Sequence, residues 1–65
     1  MPSRVIKSFH YDPGRQELHI TFQSGHRYVY SAVPPAKVQD LKAAYSRGGY
    51  FQREIRDHFA YRRAD

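Results

Sequence analysis

The chain has 65 residues, room for one domain, and a formal net charge of +5 from eleven Lys and Arg against six Asp and Glu. It has no cysteine, which excludes disulfides, thiolate metal sites and thiol nucleophiles. No apolar run approaches the ~18 residues a membrane span needs, and the start, Met1-Pro2-Ser3-Arg4, lacks an apolar signal core. The expectation is a cytoplasmic bacterial-type protein. Six Tyr and four Phe must supply much of its core, because a chain this short buries only ~60% of the surface its unfolded form exposes.

Val5 to Tyr11 is a β-prone run, ended by the turn signal Asp12-Pro13-Gly14. Glu17 to Phe22 alternates, with Leu18, Ile20 and Phe22 on one face and His19 and Thr21 on the other. Ser24-Gly25 marks a second hairpin into a third strand, Arg27 to Ser31. Short turns between three strands make an antiparallel meander. Pro34 and Pro35 end the sheet pattern, and Pro35 suits the first turn of a helix carrying Val38, Leu41 and Tyr45. Ser46-Arg47-Gly48-Gly49 is expected to end that helix through a glycine cap. A second helix follows on Phe51, Ile55 and Phe59 and frays near Tyr61-Arg62-Arg63. The fold class is α+β, a single domain over 1–65: a three-stranded meander with two short helices packed on one face.

On a helical wheel Arg53, Arg56 and Arg63 fall within roughly 80° of one another, giving the second helix one basic edge. Guanidinium forks match phosphate oxygens. The bland alternative is a solvated face with an Arg53–Asp57 pair at i, i+4. The Ser46-Arg47-Gly48-Gly49 link offers backbone N–H groups and Arg47 to one phosphate. It is no Walker loop, since no Gly-Lys-Ser/Thr is present. The alternative is an ordinary link with glycines for a sharp bend.

Tyr28 and Tyr30 share one face of the third strand. A three-residue loop, with Gly25 left-handed and Phe22 paired to His26, sets Tyr28 opposite Ile20 and Tyr30 opposite Leu18, in the core. A two-residue turn puts them outside with His19, as a stacking platform for bases. The need of so short a chain for buried rings favours the first.

The histidines match no metal motif, although His10 and His19 can meet across the first hairpin. Glu17, His19, Arg27 and His58 are the residues a ribonuclease would use, but their spacing does not ask for that role. His58 has Glu54 one turn back as a partner. No catalytic residue, metal or cofactor is assigned.

Val5-Ile6, Tyr11-Asp12-Pro13, Leu18-His19-Ile20-Thr21-Phe22, Gly25, Tyr28-Val29-Tyr30, Val33-Pro34 and Gly49-Tyr50-Phe51-Gln52-Arg53-Glu54-Ile55-Arg56 together resemble the KTSC domain. That family takes its name from its place at the C-terminus of some lysyl-tRNA synthetases, and also occurs as free-standing bacterial proteins. Gln52 stands where family members often have Asn. The resemblance covers nearly the whole chain, implies RNA binding and brings no catalytic residues. The expected function is nucleic-acid binding, to RNA or DNA, through Arg47, Arg53, Arg56 and Arg63, with Arg27, Lys7, Tyr28 and Tyr30 on the sheet side. The other readings are a protein-interaction module or homodimer formed through an edge strand and, further off, a small ribonuclease. No membrane partner is expected.

Overall fold

The structure, a computed structural model, describes residues 5–65. Its elements run β1 (Ile6–Asp12), β2 (Glu17–Phe22), β3 (Arg27–Tyr30), α1 (Pro35–Ala43), α2 (Arg47–Glu54) and β4 (Tyr61–Arg63). The four strands form one antiparallel sheet in the order β1-β2-β3-β4. Both helices lie on one face of it, over a core of Ile6, Leu18, Ile20, Tyr30, Val33, Val38, Leu41, Tyr50, Phe51 and Ile55.

The first turn forms because Asp12 Oδ1 accepts from the N–H groups of Gly14 and Arg15, at 3.0 and 3.3 Å, the side-chain mimic of a backbone turn. In the second hairpin Gly25 has φ +95°, and Phe22 N–H donates to His26 O at 2.9 Å. That is the three-residue loop, and it fixes everything downstream: Ile20 lies opposite Tyr28, and Leu18 opposite Tyr30. Both tyrosines therefore stand on the helix-covered face, and the platform beside His19 does not exist. The period-two alternation carries through to the outer face, which holds His10, His19, Thr21, Arg27 and Arg62 by register.

Pro35 opens α1 as expected, but the helix stops at Ala43. Tyr45 lies beyond it and is fully exposed, not part of the apolar stripe. The glycines that were expected to cap α1 lie instead in the first turn of α2. Ser46 is the N-cap, its Oγ accepting from Gly49 N–H at 3.1 Å.

The larger departure follows α2. The helix ends at Glu54 rather than running on through Phe59. Ile55 and Arg56 N–H both donate to Phe51 O, and His58 N–H to Ile55 O, so the chain turns. Tyr61–Arg63 is then a fourth strand, not a fraying helix end. The physical reason is the edge of β3, which without a neighbour exposes a row of unpaired backbone groups. Ser31 N–H donates to Ala60 O and Ala64 N–H to Arg27 O, each at 2.8 Å, bracketing the new pairing.

Candidate functional site: an aromatic cleft

Five aromatic side chains from four elements form a closed ring of neighbours. Phe22 of β2 meets Tyr28 of β3 edge-on at 5.6 Å between centroids. Tyr28 meets Tyr61 of β4 at 5.5 Å, and Tyr61 meets Tyr30 at 5.4 Å. Tyr30 meets Phe51 of α2 at 5.3 Å, and Phe51 returns to Phe22 at 5.5 Å. These are the edge-to-face and tilted spacings that ring quadrupoles prefer. They surround a cleft of about 360 Å³, rimmed by Ser24 and His26 from the β2–β3 hairpin and by Gln52, Arg56 and Asp57 from the end of α2 and the turn after it.

The ring is graded. Phe51 and Tyr30 are buried, Phe22 and Tyr28 half-buried, and Tyr61 is 59% exposed at the entrance. Tyr30 is only 4% exposed, yet its hydroxyl has no hydrogen-bond partner among the described residues. The groups whose charges reach that hydroxyl, Tyr61, Arg56, Tyr28 and Asp57, all line the cleft. The hydroxyl thus meets solvent through it. Burial, then Tyr61, pushes its pKa up to about 12, so it stays a donor.

The expected cationic edge is not built as the helical wheel implied. Arg53 lies at the end of α2, Arg56 in the turn beyond it, and Arg63 on β4. They share no helix. Arg53 pairs with Glu54 at 3.6 Å, not with Asp57, and its guanidinium sits 5.9 Å from the Tyr50 ring. Arg63 donates from Nε to Asp65 Oδ1 at 2.9 Å, which holds the Arg63 pKa up. His26 Nδ1 lies 2.9 Å from Asp65 Oδ2 and 2.7 Å from Arg63 Nη2; protonated it donates to the first, unprotonated it accepts from the second. His26, then Arg63, pulls the Asp65 carboxyl far below the usual range. This clasp ties β4 to the β2–β3 hairpin at the mouth of the cleft.

Arg47 lies over the Phe9 ring at 5.6 Å and does not line the cleft. Ser46 Oγ takes the N–H of Gly49 and Ser46 O that of Tyr50, so two of the N–H groups of the expected anion cradle are already bonded within the chain. Arg27 lines a hollow of about 410 Å³ on the outer sheet face, with His10, His19, Thr21 and Arg62. Lys7 is exposed at the irregularity in the β1–β2 register. Of the candidate residues, the fold brings together Arg56, Tyr28 and Tyr30.

His10 and His19 do meet, with ring centroids 6.0 Å apart. His58 bonds the Arg53 carbonyl at 3.1 Å rather than Glu54, whose carboxylate is taken by Lys37 at 3.0 Å. That bond lowers the Glu54 pKa and raises that of Lys37. Glu17 and His19 sit 3.5 Å apart on the sheet, and Arg62 is 3.4 Å from Glu17. Among the described residues no group of three or more His, Asp or Glu gathers as metal ligands, and no helix is long and apolar enough to cross a membrane.

Sequence reasoning missed Tyr61, Phe22 and Phe51 as site residues. Phe22 and Phe51 carried a core signal. Tyr61 was hidden by its assignment to a helix, although Tyr61-Arg62-Arg63 follows a break at Ala60 and opens on a β-favouring residue.

A sequence model of the KTSC domain matches residues 2–59. The chain belongs to the KTSC domain family. It is 41% identical to an uncharacterized protein of Stutzerimonas stutzeri, over all of this chain and 93% of that one. A lysine–tRNA ligase of Nostoc punctiforme is 42% identical over 88% of this chain, which spans only 10% of the ligase. The crystal structure of a KTSC domain protein from Yersinia pestis superposes with a TM-score of 0.91 at 34% identity, covering 100% of this chain and 90% of that one.

Proposed function

We propose that this KTSC domain binds single-stranded nucleic acid, with an unpaired base entering the aromatic cleft and Arg56 taking a neighbouring phosphate. The observation that carries this reading is the closed ring of five aromatic side chains with a cation at its rim, Arg56, that makes no ion pair among the described residues. A core ring of this kind is ordinarily sealed. Here it opens on solvent and presents π-faces, of which Tyr61 is the most exposed. Base stacking on such faces contributes about 1–3 kcal/mol per base.

The net charge of +5 supplies long-range attraction for a polyanion. The lysine–tRNA ligases that carry a similar segment act on a tRNA by name, which agrees with a nucleic-acid partner. We read the domain as a binder rather than an enzyme: Glu17 and His19, 3.5 Å apart, lie on the outer sheet face away from the aromatic cleft, and His58 lies beyond α2 with its ring on the Arg53 carbonyl. Arg53, paired with Glu54 and set by the Tyr50 ring, lies outside the cleft and plays a lesser part. Arg27 and Lys7 belong to the other side of the sheet and play a lesser part.

The test is an NMR titration of the labelled protein with short single-stranded RNA and DNA. Shifts should centre on Tyr28, Tyr30, Gln52, Arg56 and Tyr61, and the affinity should fall with salt at a log–log slope of about −0.7 per phosphate held. Shifts confined to Ser8, His19 and Arg27, or an affinity indifferent to salt, would overturn the cleft as the site.

A further inference from the structure

We propose that the cleft selects guanine among unpaired bases, with Asp57 reading its Watson–Crick edge; this rests on the nucleic-acid reading above. The starting observation is an unbalanced carboxylate. Five of the six acidic side chains have partners. Asp12 accepts backbone N–H groups, Glu17 meets His19 and Arg62, Asp40 accepts from Tyr50, Glu54 pairs with Lys37 and Arg53, and Asp65 with His26 and Arg63. Asp57 has no hydrogen bond or ion pair among the described residues, and it lines the aromatic cleft beside Arg56.

A bare carboxylate repels phosphate. At the rim of a nucleic-acid site it is tolerable only where donors of the ligand reach it. Guanine alone among the four bases offers two adjacent donors on one edge, N1–H and the N2 amino group, matching the two oxygens of a carboxylate. Adenine and cytosine each put an acceptor next to their amino donor. Uracil flanks its single N–H with two carbonyls. Each of these turns at least one lone pair toward the carboxylate. Guanine's remaining edge group, O6, is an acceptor, and the cleft holds two donors for it: the Tyr30 hydroxyl, which lacks a protein partner, and the Gln52 amide. Unpaired bases leave these edges open to side chains.

The experiment is fluorescence anisotropy of the full chain with labelled RNA pentamers of sequence UUXUU, where X is G, inosine, A, C or U. Inosine keeps N1–H and O6 but lacks the N2 amino group. The G pentamer should bind roughly tenfold tighter than A, C or U, and inosine should lose most of that gain. Asp57→Asn, an exposed position whose change leaves the core intact, should erase the preference while the A pentamer binds as well as before or better. Guanosine monophosphate alone should compete at least tenfold more weakly than the G pentamer, since it lacks flanking phosphates and stacked neighbours. Equal binding of all five pentamers overturns guanine selection and leaves the nucleic-acid reading standing. A preference that survives Asp57→Asn overturns the role of Asp57, and monophosphate binding as tight as the pentamer makes the ligand a free nucleotide. Binding of no pentamer removes both readings.

Discussion

On one face of the sheet Leu18 and Ile20 are no more than 1% exposed; on the other, His19 and Thr21, one residue away along the same strand, are only half covered. The covered face is aromatic and closed by two helices, except where the five-ring cleft interrupts it. The open face is polar and mixed in charge. The informative exception is Val29, which faces outward yet is 1% exposed. Its cross-strand neighbours are His19 and Arg62. Long side chains on both flanks lie over it, because β4 has turned β3 from an edge into an interior strand. The comparison teaches that the short C-terminal strand does two things. It shields one valine on the open face, and it delivers Tyr61 to the cleft on the other.

The contrast between faces is broken or upheld most directly by truncation on each. Leu18→Ala should cost about 2–5 kcal/mol in urea unfolding, through lost burial and the cavity left. His19→Ala should stay within about 0.5 kcal/mol. Equal costs would mean that the open face is covered in solution.

Tyr61→Ala isolates β4. It removes ring contacts to Tyr28 and Tyr30 at 5.5 and 5.4 Å, each worth about 0.5–1.5 kcal/mol. A loss of about 1–2 kcal/mol is expected, with faster hydrogen exchange at Ser31 and Ala64, the amides that bond across β3 and β4. Unchanged exchange at those two amides would show that the ring contacts do not hold the strand.

For function, Arg56→Gln sets the cleft against the open face. It should weaken oligonucleotide binding several-fold and shallow the salt slope by about 0.7, one phosphate, whereas Arg27→Gln should change neither much. The opposite ranking would move the site to the sheet's outer surface.

How much of this was legible depends on how local each signal is. Asp12-Pro13-Gly14, the alternation of Glu17 to Phe22 and the Pro35 helix start are local, and they placed the meander and α1. The Tyr28/Tyr30 face hung on one hairpin with two plausible loops, and Gly25 decided it. Phe51, Ile55 and Phe59 at helical spacing misled, because the pull of an unpaired β3 edge on Tyr61 is invisible in a window of the sequence around either partner. The cleft was illegible for the same reason. Its five rings come from four elements, and only Tyr28 and Tyr30 are near neighbours in the chain. Arg56 was a candidate on a helical geometry that does not exist, and it reaches the cleft from the turn after α2 instead.

The smallest effect at neutral pH becomes visible only in alkali. An unfolded tyrosine ionises near 10, whereas Tyr30 in the fold does so at about 12, chiefly because burial disfavours the phenolate. Its neutral form therefore stabilises the fold fully below pH ~10, and that contribution drains away as pH rises through the folded value. Tyr50 is shifted in the same direction, also chiefly by burial, so the two buried tyrosines act together. Urea midpoints compared between about pH 9 and 11 should drop for the wild type and drop clearly less for Tyr30→Phe. An identical alkaline drop in Tyr30→Phe would mean that the phenol at the floor of the cleft is as well hydrated as one in the unfolded chain, and that burial of its ring does not disfavour the phenolate.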